Sequence, residues 1–216
     1  MNDIFIITGV NKGLGLSLAI EANNRGLITE GVSKSKKSID LPNNVIFTQL
    51  DCSKWKDVSS FWGNINQKYK EKNIVLINNA GTYIKKEFLA METENIESVI
   101  KDNFLSSVFM TRGLLDNFQI AKIINIISIT ALEPGANKSI YGASKSAMST
   151  FFKTLRLELK EKPINIIDLY PHTINTWSLN KEPNAIDRND LSKWIINLAI
   201  ENHSFEQSEI TLLPNT

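Results

Sequence analysis

The sequence predicts an α/β fold, a mostly parallel sheet covered on both faces by helices, and three observations predict it. Short apolar runs alternate with longer amphipathic stretches throughout the 216 residues. The first run, Asp3 to Thr8, leads straight into a turn with glycines at 9, 13 and 15. A later run, Ile123 to Ile127, is closed by Ser128, with Tyr141 and Lys145 following. Buried parallel strands read as unbroken apolar runs, and helix-length segments between them make the crossovers.

Asp3 to Thr8 is the first strand. Leu16 to Arg25 is a helix, because Leu16, Ala19, Ile20 and Asn23 recur at helical spacing, and Gly26 ends it. Leu27 to Val32 and Val45 to Leu50 are strands. Trp55 to Tyr69 is a helix striped by Val58, Phe61, Trp62, Ile65 and Tyr69. Ile74 to Ile77 is a buried strand that runs into Asn78-Asn79-Ala80-Gly81. Glu92 to Asn117 is one long helical region, Ala121 to Ser128 a strand, and Tyr141 to Glu161 a helix stopped by Pro163. Ile164 to Tyr170 is a strand, Asn189 to Glu201 the last helix and Glu209 to Leu213 the last strand. No internal repeat or linker interrupts the pattern, so residues 1–216 are expected to form a single domain with its active site built in.

Composition excludes several classes. Lys and Arg total 24 against 23 Asp and Glu, a formal net charge of +1, which gives no field to attract nucleic acid or an anionic membrane. Cys52 is the single cysteine, so no internal disulfide and no multi-thiolate metal site is possible. His172 and His203 are too few and too far apart to suggest a metal. The apolar run Ile4 to Ile7 is too short for a signal peptide, and no segment approaches the roughly 20 apolar residues of a membrane span. A cytoplasmic protein is expected.

Two stretches carry chemistry. Tyr141 and Lys145 lie four residues apart, so a helix starting there stacks a phenol and an ammonium on one face. Ser128 stands at the carboxyl end of a strand, where ligands bind to open parallel sheets. The turn Thr8-Gly-Val-Asn-Lys-Gly-Leu-Gly15 lets a diphosphate approach backbone amides at the positive end of a helix.

Thr8-Gly-x-x-x-Gly-x-Gly15, Asp51, Asn78-Asn-Ala-Gly81, Asn103, Ser128 and Tyr141-x-x-x-Lys145 together resemble the compact short-chain dehydrogenase/reductases, in that family's order and intervals. The resemblance covers about residues 3–176 and implies a Rossmann-like, doubly wound sheet of about seven strands. It implies a hydride transfer between a nicotinamide and a carbonyl or secondary alcohol. Tyr141 would exchange the proton, Ser128 would hold the substrate oxygen, and Lys145 would lower the phenol's pKa and bind ribose hydroxyls. Asn103 would support a proton relay. The cofactor would meet Gly9, Asn11, Lys12, Gly13, Leu14, Gly15, Ser33, Lys34, Asp51, Cys52, Asn79, Ala80, Gly81, Tyr141, Lys145, Pro171 and Thr176. Ser33 stands where NAD-preferring members carry an acid, and Lys12 and Lys34 add positive charge, so NADP(H) is expected over NAD(H). The Tyr141–Lys145 spacing disfavours the enoyl reductase branch. The rival from another class is a catalytically silent NADP(H)-sensing protein, which would have no need of the tyrosine.

Departures from the family pattern are also visible. His172 follows Pro171 in place of the usual glycine, Ile127 replaces a common serine, and the substrate-covering segment, about Trp177 to Arg188, is short. A homodimer is expected through the Tyr141 helix, with Met148, Phe151, Phe152, Leu155 and Leu159, and the preceding long helix, with Phe104, Val108, Phe109 and Leu114.

Overall fold

The computed structural model describes residues 3–176, 184–201 and 206–215. The strands are β1 (Ile4–Thr8), β2 (Ile28–Ser33), β3 (Ile46–Gln49), β4 (Ile74–Asn78), β5 (Ala121–Ile126), β6 (Ile164–Pro171), β7 (Ile174–Asn175), β8 (Ile186–Asp187) and β9 (Glu209–Leu212). All but β7 and β8 form a seven-stranded sheet in the order β3-β2-β1-β4-β5-β6-β9, with every ladder parallel. Strand order reverses between β1 and β4, so the turns that leave these two strands flank a crevice at their carboxyl ends. The Rossmann-like sheet read from the sequence is therefore present.

The helices are α1 (Gly13–Asn24), α2 (Trp55–Tyr69), α3 (Thr93–Ile100), α4 (Ser106–Asn117), α5 (Ser139–Glu158) and α6 (Arg188–Ile200). Successive strand residues serve opposite faces of the sheet, as a period of two requires. Ile4, Ile6, Ile74, Leu76 and Ile123 pack with Trp62, Met110 and Phe152, while Phe5, Ile7, Val75, Ile77 and Ile124 pack with Leu18, Leu191 and Ile195. The central strands thus bury both faces, which is why their sequences read as continuous apolar runs.

Three elements differ from expectation in ways that matter for the site. The long helix at 92–117 is broken by a π-helical turn, Lys101–Leu105, between α3 and α4. Asn103 in that turn is fully buried, and its amide is bonded to the backbone of Thr82, which the wider turn makes room for. Strand β5 stops at Ile126, because Ser128 caps a short 3-10 turn, Ile129–Ala131, instead of continuing the ladder. Helix α5 begins two residues ahead of Tyr141, which places the phenol in its first turn. The β7 and β8 pair was not legible in the sequence.

Candidate active site

The glycine turn is held open by its backbone and by a neighbour across the crevice. Gly9 and Gly13 have φ of +74° and +58°, the left-handed region that glycine enters at no steric cost. Thr8, the last residue of β1, accepts hydrogen bonds at Oγ1 from the amides of Asn79 (2.9 Å) and Ala80 (2.8 Å). Asn79 Nδ2 donates back to the Thr8 carbonyl at 2.8 Å, so the two crevice turns are stapled together. A methyl at Gly15 would overlap the Gly9 carbonyl. Gly13 by contrast borders open space, its nearest neighbour being the Thr176 side chain 3.5 Å from where a Cβ would lie. Helix α1 starts there with no side-chain cap on its first amides. Helix-start amides without a side-chain cap suit a diphosphate.

The rim of the crevice is built from the ends of β2 and β3. Asn11 is spent on that rim: its Nδ2 donates to the Ser35 carbonyl and hydroxyl and to the Lys36 carbonyl, and its Oδ1 accepts from the Ser38 amide. Lys34 Nζ lies 3.5 Å from Asp51 Oδ2 and 3.5 Å from Asp102 Oδ1. Asp102, which the sequence did not single out, reaches this point because the π turn swings it across from β4's exit, where Thr82 Oγ1 donates to its Oδ2 at 2.8 Å. The two carboxylates raise the Lys34 pKa against a counteracting burial effect. Cys52 is buried, and burial pushes its thiol up to about 12, so only its backbone can meet a ligand. Pro171 is buried at the end of β6; His172 is exposed, and its amide donates to the Leu212 carbonyl at 2.9 Å. Ile127 is buried in the core, which accounts for an apolar residue there. Of the substrate-covering segment, residues 177–183 lie outside the described residues.

The reacting groups converge at the carboxyl ends of β4 and β5. Ser128 Oγ accepts from the Thr130 amide (3.2 Å) and from Thr130 Oγ1 (2.9 Å). With those acceptor positions filled, its own proton is left to donate. Hydrogen bonding to Ser128 lowers the Tyr141 pKa, but burial raises it more and the nearby Tyr83 adds to the rise. The net direction is upward. Lys145 Nζ lies 5.9 Å from the Tyr141 ring centroid and donates to the Ile126 carbonyl at 2.9 Å, beside Met148 Sδ at 3.7 Å. Lys145 is itself fully enclosed, and desolvation lowers its pKa to about 8. Asn103 Nδ2 also donates to Ser144 Oγ at 2.9 Å, so Asn103 links the Gly81–Thr82 turn to α5. Gly81 must lack a side chain here, since a Cβ would sit 2.6 Å from Asn103 Oδ1.

A dinucleotide cradle next to a serine, a tyrosine and a lysine in one crevice defines an NAD(P)-dependent oxidoreductase of the Rossmann type. The chain belongs to the short-chain dehydrogenase/reductase family, whose model, described as short chain dehydrogenase, matches residues 3–186. It is 31% identical, over 97% of its length and 88% of the relative's, to the 3-oxoacyl-[acyl-carrier-protein] reductase FabG of Buchnera aphidicola subsp. Baizongia pistaciae. It is 29% identical to the 17-beta-hydroxysteroid dehydrogenase type 3 of Rattus norvegicus, over 79% of this chain and 60% of the relative. Among solved structures, ElxO with NADP bound superposes with a TM-score of 0.85 at 26% identity, over 98% of this chain and 96% of that one. No described helix is long and apolar enough to cross a membrane.

Proposed function

We propose that the protein is an NADPH-dependent carbonyl reductase or alcohol dehydrogenase in which Tyr141 donates the proton when a carbonyl is reduced. The observation that carries this reading is the position of Tyr141 in the first turn of α5, with Lys145 Nζ 5.9 Å from its ring and Ser128 capping the turn that follows β5. The phenol carries its proton at neutral pH, and general acids placed at a reacting oxygen contribute about 10²–10⁴-fold. When bound, the nicotinamide supplies the hydride; everything else falls to the protein's own side chains.

Ser128, with its acceptor positions occupied by Thr130, directs its proton toward the substrate oxygen and stabilises the negative charge that grows there. Tyr141 passes its proton to the same oxygen. Lys145, whose pKa of about 8 leaves it mostly an ammonium at neutral pH, stabilises the phenolate that results and would hold the ribose hydroxyls. Asn103 fixes the loop after β4 against α5, with its Nδ2 donating to the Thr82 carbonyl and Ser144 Oγ and its Oδ1 accepting from the Thr82 amide. Gly9, Lys12, Gly13, Leu14 and Gly15 would cradle the diphosphate. Asp51, Cys52 and Asn79 to Gly81 would meet the adenosine half, with Pro171 and Thr176 at the nicotinamide.

The NADPH preference rests on Ser33, which puts no carboxylate at the tip of β2, and on Lys34, whose ammonium is held at the rim by Asp51 and Asp102. A ribose 2'-phosphate would compete with those carboxylates for it. The NADP-bound relative ElxO agrees with this preference, and the reductase and dehydrogenase names of the relatives agree with a carbonyl or alcohol substrate. Partly buried Phe104, Phe109 and Phe151 on α4, α5 and the π turn suit a homodimer, which light scattering would measure. A single buried thiol suits a cytoplasmic location.

Following NADPH absorbance against a panel of aldehydes and ketones tests the proposal, with Tyr141→Phe as control. Consumption by the native protein that the variant loses, while still binding NADPH, supports it. Tight NADPH binding with no consumption of any carbonyl would point to the silent sensor instead.

A further inference from the structure

The phenol of Tyr141 is surrounded on the protein side by buried groups, Ser128 and Lys145, and on the open side by Tyr83. The two tyrosine rings stand perpendicular, 86° between planes, with centroids 4.8 Å apart, and Tyr83 is 54% exposed. Its position is set from both sides. Thr82, the preceding residue, is clamped to Asn103 through both its amide (2.7 Å) and its carbonyl (3.1 Å). Three residues on, the Lys86 amide donates to the Asn137 carbonyl at 2.9 Å. Asn137 takes a φ of +62° to present that carbonyl, a conformation asparagine tolerates better than most. This bond joins the loop after β4 to the segment that leads into α5, so Tyr83 is a fixed wall beside the proton donor.

We propose that Tyr83 is the specificity-determining wall of the carbonyl pocket, and that it selects aldehydes and ketones carrying a flat aromatic group on the carbonyl carbon. This rests on the carbonyl-reductase reading above. A substrate oxygen that reaches Tyr141 and Ser128 has its substituents directed away from the buried side, and the ring of Tyr83 is what they pass. The negative face of that ring favours the edge or offset face of another aromatic ring and disfavours a carboxylate. An aliphatic ring of the same size keeps the area contact and loses the directional part.

Acetophenone and cyclohexyl methyl ketone make the comparison, with Tyr83→Leu and Tyr83→Phe. KM and kcat are measured for each, and binding of each ketone to the NADPH complex is read independently by saturation-transfer NMR. Tyr83→Leu is expected to weaken acetophenone about three- to tenfold more than cyclohexyl methyl ketone, in KM and in NMR affinity, with Tyr83→Phe restoring the difference. Equal losses for both ketones, or a fall in kcat with KM unmoved, would overturn the proposal, since the ring would then only prop Tyr141. If the native protein reduces neither these ketones nor any carbonyl of the panel above, the carbonyl-reductase reading fails. The NMR ratio still decides the wall: an aromatic preference lost in Tyr83→Leu supports it, and no preference refutes it.

Discussion

Lys34 and Lys145 stand at the two ends of one crevice and meet opposite electrostatics. Lys34, with 63% of its side chain exposed, lies between Asp51 and Asp102, and their charge raises its pKa. Lys145 is 4% exposed, donates to the Ile126 carbonyl beside the Met148 sulfur, and falls to about 8. At the rim a lysine is kept charged and exposed, where an anion could compete with its carboxylates. At the floor the same residue type is desolvated and held by the Ile126 carbonyl, with its Nζ 5.9 Å from the Tyr141 ring. On the proposed reading, the nucleotide end would contribute selectivity and the catalytic end rate.

The largest effects should come from the floor. Tyr141→Phe is expected to cut carbonyl reduction by about 10²–10⁴-fold with the NADPH dissociation constant little changed, as measured by steady-state kinetics and fluorescence titration. Lys145→Met separates stability from chemistry. The folded pKa of about 8 lies below the ordinary lysine value of 10.5, so between these pH values the unfolded chain binds the extra proton and the native protein gains stability as pH rises. Denaturant titrations should show the native protein gaining about 3 kcal/mol on Lys145→Met across that window. Parallel curves for the two proteins would mean that Lys145 is solvated.

Glycines sharpen the same comparison. Gly81→Ala drives a methyl against Asn103 Oδ1 and should cost about 1–3 kcal/mol of stability, and activity with it, because the Thr82 clamp moves. Gly13→Ala meets only Thr176 at ordinary contact distance, so its cost is the positive φ alone, about 1 kcal/mol by thermal unfolding. The smallest effect on folding belongs to the rim. Lys34→Asp should change stability by no more than about 1 kcal/mol, as exposed pairs do, yet move the NADPH to NADH ratio of kcat/KM toward NADH. An unchanged ratio would remove Lys34 from cofactor choice.

What could be read in the chain was local. The Tyr141–Lys145 spacing, the glycine turn and the apolar strands depend on neighbours a few residues apart, and they stand where the helical and strand periods put them. What could not be read arrives through space. Asp102 meets Lys34 across 68 residues, Thr8 staples a loop 71 residues away, and Tyr83 covers Tyr141 because Thr82 and Lys86 are tied to distant backbone. The π turn at Lys101–Leu105 has a helical sequence, and the burial of Asn103 that goes with it emerges only in the fold. The upward shift of Tyr141 in the cofactor-free protein is of the same kind. Spacing places a lysine near a phenol, but burial, which decides the sign, is a property of the folded core.

The most direct measurement is the titration of Tyr141 itself. With ¹³Cζ-labelled tyrosine there are four resonances to resolve, and Tyr141→Phe identifies its own by removing it. In the cofactor-free protein the Tyr141 signal should keep its protonated shift up to the ordinary phenol value of 10.0 and titrate only above it. A midpoint below the Lys145 value of about 8 would contradict the account, because the phenol would then be a base at neutral pH rather than the proton donor.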